Sequence, residues 1–93
     1  MTHAVKPRIV NMVATGTFDT KLNLEKLFIE LDLEEKVYEP ETYPGLLCKT
    51  TKPRGHVTLY SNGKYIITGV DSADKLSLTF ENLMNALKKA GIL

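Results

Sequence analysis

At 93 residues, with 43% hydrophobic and 25% charged side chains, the chain can bury one small core and is too apolar for disorder. A formal net charge of +1 supplies no global field to attract nucleic acid, so any basic patch has to come from arrangement. The single cysteine, Cys48, excludes a disulfide framework within the chain, no apolar run approaches membrane-spanning length, and the opening MTHAVKPRIV is not a secretory signal.

Residues 1–7 read as a polar, extended lead-in. Arg8 to Thr17 alternates, with Val10, Met12 and Ala14 on one face and Asn11, Val13 and Thr15 on the other, and so predicts a first strand. Gly16 is expected to allow a bend or bulge near its end. From Leu24 onward the spacing of Leu24, Leu27, Phe28 and Leu31 is helical, with Asn23 as N-cap. Lys26 stands where a capping box would place Glu. Glu34 to Thr42 is charged and contains Pro40, which predicts an extended edge segment.

Residues 43–69 predict three short strands joined by two tight turns. Lys52-Pro53-Arg54-Gly55 marks the first turn and Ser61-Asn62-Gly63-Lys64 the second. Asn-Gly between two β-branched runs predicts a type I′ hairpin, which requires positive φ at both central residues. Alternation then places Leu46, Cys48, Val57, Leu59, Tyr65 and Ile67 on one face. The opposite face receives Tyr43, Leu47, Lys49, His56, Thr58, Tyr60, Ile66 and Thr68. Asp71 to Gly91 predicts the one long helix. Ser72 or Asp71 caps it, Leu76, Phe80, Leu83, Met84 and Leu87 form its apolar stripe, and Gly91 ends it.

That stripe needs a surface, and the apolar sheet face supplies one. The expected fold is a two-layer α+β domain with helices on one side of an antiparallel sheet. The other side is bare yet carries Val13, Leu47, Tyr60 and Ile66, and an apolar patch of that kind marks an interaction site. No catalytic reading competes. Ser61, Ser72 and Ser77 lack a nucleophile-elbow context, the paired glutamates lack a partner base, and His56 has no further ligand at metal-binding spacing. Neither an enzyme nor a cofactor is expected.

Several fragments together resemble one repeat of the TATA-box-binding protein core. Ile9-Val10-Asn11-Met12-Val13 is similar to the family's opening strand. Tyr38-Glu39-Pro40-Glu41-Thr42-Tyr43-Pro44-Gly45-Leu46 resembles its Y-x-P-E-x-F-P-G-L segment. Lys52-Pro53-Arg54 and the run from Tyr60 to Gly69 resemble its K-P-K/R and F-x-S-G-K-x-x-x-T-G segments. The order and spacing of these fragments, from about residue 8 to 90, make the resemblance specific.

The resemblance implies a curved antiparallel sheet of about five strands with two helices on its convex face, formed by residues 1–93 as a single repeat. It implies DNA binding through the concave face, in the minor groove of A·T-rich duplex. Asn11 then matches a residue that bonds groove acceptors, and Val13, Leu47, Thr58, Ile66 and Thr68 match groove-packing positions. Tyr43 and Tyr60 match paired phenylalanine wedges, and Lys49, Arg54 and Lys64 match phosphate contacts. Because the family carries two repeats per chain, a homodimer is expected to rebuild the saddle, with a transcription-factor partner and a cytoplasmic or nucleoid location. The same sheet face could instead serve as a protein-interaction module. It could also grip an RNA/DNA hybrid, like the similar domain of bacterial type-three ribonuclease H.

Overall fold

Period-two alternation in the chain becomes a five-stranded antiparallel sheet in the computed structural model, which describes residues 12–93. In chain order the elements are β1 (Met12–Thr17), α1 (Leu24–Glu30), β2 (Glu35–Val37), β3 (Leu46–Thr51), β4 (Arg54–Leu59), β5 (Lys64–Val70) and α2 (Ala73–Lys89). The spatial order is β1-β5-β4-β3-β2. The β3–β4–β5 meander therefore holds the centre, and β1 and β2 are the edges. The sheet is curved, and both helices cover its convex face.

The convex layer is the core. Leu46, Cys48, Val57, Leu59 and Ile67 project toward the helices and are buried, as alternation predicts. Leu24, Leu27 and Leu31 come from the α1 region, and Leu83 and Leu87 from α2. Ring contacts from Phe18 to Tyr65 (centroids 4.8 Å apart) and from Tyr65 to Phe80 (5.6 Å) continue this layer toward the β1 edge.

Local signals at the helix ends act as expected. The Asn23 side chain accepts from the Lys26 N–H, and the Ser72 side chain accepts from the Lys75 N–H. At the end of α2 the Gly91 N–H donates to Lys88 O and the Ile92 N–H to Leu87 O, a Schellman closure that needs the positive φ of Gly91 (79°).

Four local expectations are corrected. The register irregularity between β1 and β5 is not at Gly16, whose partner Tyr65 is in regular register. Met12 faces Val70 while Ala14 faces Ile67, so β5 carries the extra residue, beside Gly69 at φ 78°. The Asn62-Gly63 turn is not type I′, because Gly63 alone has positive φ (95°). The Gly63 N–H donates to Tyr60 O and the Tyr60 N–H to Lys64 O, the pattern of a three-residue loop closed by a glycine bulge. The first turn is shorter than expected, since Arg54 and Gly55 already belong to β4. The α2 stripe is also displaced. Thr79 and Ala86 are buried beside Leu83 and Leu87, whereas Leu76, Phe80 and Met84 are half-buried at the margin.

Candidate nucleic-acid interface

Strand pairing lines the concave face into rows. Thr15 lies opposite Ile66, Ile66 opposite Thr58, Thr58 opposite Leu47, and Leu47 opposite Val37. This row crosses all five strands and contains only aliphatic and hydroxyl side chains. A second row joins Thr68, His56, Lys49 and Glu35. Three exposed aliphatics lie on this face, with Val13 63% exposed, Val37 48% and Leu47 40%. Solvated strand faces are not built this way; a contiguous apolar band on a sheet that no helix covers is a contact surface.

The cations stand around that band. Arg54 opens β4 and Lys64 opens β5, and because the two strands are antiparallel these side chains lie at opposite ends of the face. Lys49 lies between them on β3. A basin of about 430 Å³ at the Arg54 end is lined by Glu35, Lys49, Thr50, Thr51, Arg54 and His56. The Thr50 hydroxyl, 2.8 Å from Pro53 O, steadies the turn beneath it. The ion pairs among the described residues, Lys75–Asp71 and Lys89–Asp32, lie away from this face. They lower both carboxylates below their ordinary pKa and leave Lys49, Arg54 and Lys64 unpaired.

Tyr43 and Tyr60 form the third part. Their rings are 6.2 Å apart and tilted by 55°, and their hydroxyl oxygens are 2.5 Å apart. The Tyr43 hydroxyl raises the Tyr60 phenol above its ordinary pKa, because the shared hydrogen bond favours the protonated form. Gly45 makes the pairing sterically feasible. A methyl group there would sit 2.8 Å from Thr58 Cγ2, 2.9 Å from Tyr43 Cε2 and 3.2 Å from Tyr60 Cε1.

The fold thus brings Val13, Tyr43, Leu47, Lys49, Arg54, Thr58, Tyr60, Lys64, Ile66 and Thr68 to one face. Asn11 lies outside the described residues. Sequence reasoning missed Val37 and Gly45. A three-residue edge strand is too short for alternation to declare a face, and the space above a glycine is not a sequence property. Among the described residues, no three His, Cys, Asp or Glu side chains cluster to hold a metal, and no helix is long and apolar enough to cross a membrane.

A model of the family described as transcription factor TFIID (or TATA-binding protein, TBP) matches residues 6–90. The chain belongs to the TATA-binding protein family. It is 40% identical over 87 residues to the TATA-box-binding protein of Thermococcus kodakarensis, covering 94% of this chain and 45% of that protein. It is 36% identical over 85 residues to TATA-box-binding protein D of Halobacterium salinarum, covering 91% of this chain and 46% of that one. The solved structure of Methanococcus jannaschii TBP superposes with a TM-score of 0.79 at 28% identity, over 87% of this chain and 47% of that one. The chain therefore spans about half the length of the relatives it matches.

Proposed function

We propose that residues 1–93 act as a single TATA-binding-protein repeat that binds A·T-rich double-stranded DNA through its concave face, in the minor groove, during transcription initiation or regulation. The carrying observation is the aliphatic and hydroxyl row across five strands, bracketed at opposite ends of the face by cations that form no ion pair among the described residues. Aliphatic and hydroxyl groups suit a groove floor of sugars and acceptor atoms, and A·T pairs lack the guanine amino group that would obstruct such packing. The cations suit the two phosphate backbones.

The dimensions add a requirement. Four inter-strand spacings make the face about 19 Å across, wider than the roughly 6 Å minor groove of B-form DNA. The groove must open on binding, which favours sequences with flexible pyrimidine–purine steps. Homodimer formation rests on a separate observation. The outer edge of β1 is unpaired among the described residues. Beside it lies an apolar hollow of about 260 Å³ lined by Ala14, Tyr65, Ile67, Leu76, Ser77 and Phe80. A second copy pairing through β1 about a two-fold axis would cover both. A transcription-factor partner finds apolar groups on the convex layer, where Ile29 of α1 is 79% exposed.

Titration of labelled A·T-rich and G·C-rich duplexes at two salt concentrations tests this reading. Tighter, salt-sensitive binding to A·T that is lost in Leu47→Glu is the expected result. No binding to either duplex at about 10 μM, where non-specific binders already register, refutes it. Sedimentation equilibrium tests the dimer, which is refuted by a monomer mass at the highest soluble concentration.

A further inference from the structure

An aromatic pair beside an apolar groove-facing band could enter a base step as a wedge, since apolar side chains inserted that way unstack and kink a duplex. The geometry of Tyr43 and Tyr60 opposes this. Their hydroxyls are the outermost polar atoms of the pair and are held 2.5 Å apart. Insertion would separate them and bury both inside a base stack, where no hydrogen-bond partner faces them. One hydroxyl donates to the other, which leaves one O–H free to donate outward, and minor-groove A·T edges offer acceptors. The absence of a side chain at Gly45 lets both rings lie against the sheet beside Thr58, the arrangement in which the two hydroxyls meet.

We propose that Tyr43 and Tyr60 work as a hydrogen-bonded hydroxyl platform that meets the edge of the groove and stays out of the base stack, so that this chain binds its duplex with a shallow bend. The proposal rests on the DNA-binding reading above and assigns the pair a positioning and bend-limiting role within it. The hydroxyls, more than the rings, set the shape of the bound DNA.

The test compares wild type with the Y43F/Y60F double variant on one A·T-rich duplex carrying a fluorophore pair at its ends. Affinity and end-to-end distance are read in the same titration. Both side chains are solvent-accessible and phenylalanine keeps the ring, so the variant is expected to fold; its circular dichroism spectrum checks this. The expected result is that both proteins bind and that the wild-type bend is less than half that of the variant. Equal bends, large or small, overturn the platform and leave DNA binding intact. Absence of binding by wild type overturns the DNA reading and the platform with it.

Discussion

Gly45→Ala probes the concave face at its tightest point. The added methyl group would meet Thr58 Cγ2 at 2.8 Å and Tyr43 Cε2 at 2.9 Å, closer than carbon atoms pack. Thr58 is fixed by pairing on both sides, to Leu47 and to Ile66, whereas Tyr43 belongs to the loop before β3. Tyr43 therefore gives way, and its hydrogen bond to Tyr60 opens. Overpacking of this kind costs about 1–3 kcal/mol. Gly45 has no positive φ, so alanine fits its backbone and gains about 0.4–1 kcal/mol through the unfolded chain. The net loss is about 1 kcal/mol, which for a domain of this size lowers Tm by about 4–8 °C. Thermal melts followed by circular dichroism measure it, and duplex titration of the same sample should show weaker binding. An unchanged or raised Tm would show that the Tyr43–Thr58–Tyr60 cluster is not packed as described.

Three further outcomes are expected. Leu27→Ala empties a fully buried site in the helix layer and should cost about 2–5 kcal/mol in urea melts, a large share of a small domain's stability; a loss below about 1 kcal/mol would contradict its place in the core. Lys49→Ala, Arg54→Ala and Lys64→Ala should each flatten the logarithmic salt dependence of duplex binding by about 0.9, and three unchanged slopes would remove the phosphate contacts from the proposal. Burial pushes the Cys48 thiol up to about 12, well above the ordinary thiol range, so its contribution to stability is complete below about pH 9 and is lost as pH rises toward 12. Stability of wild type should accordingly fall more steeply with alkali over that window than stability of Cys48→Ala; parallel curves would show that the thiol titrates freely.

Much of this was legible in the chain because the responsible forces are local. Side chains on a strand alternate by stereochemistry, so Leu46, Cys48, Val57, Leu59 and Ile67 declared one face before any fold was known. Asn23, Ser72 and Gly91 mark helix ends because each satisfies backbone groups within a few residues of itself. The bare concave face followed from the same alternation, as did most of the residues proposed to meet DNA.

What tertiary structure decided depends on groups distant in sequence. Asn62-Gly63 is compatible with more than one hairpin. The form adopted puts Gly63 against the chain after β1, with the Phe18 N–H donating to Gly63 O and the Leu22 N–H to Ser61 O. Gly16 looked like a site for a bulge, but the Tyr65 ring occupies the space above it, and a methyl group there would lie 2.3 Å from the Tyr65 hydroxyl. The bulge moved to Gly69, where positive φ costs nothing. Thr79 and Ala86 entered the core because the direction of α2 across β5 selects which flank of an amphipathic stripe is covered, and propensity along the helix carries no information about that direction. The union of Tyr43 with Tyr60 is of the same kind. Periodicity assigned both rings to one face, but only the packing of a loop over Gly45 set their hydroxyls within hydrogen-bonding distance.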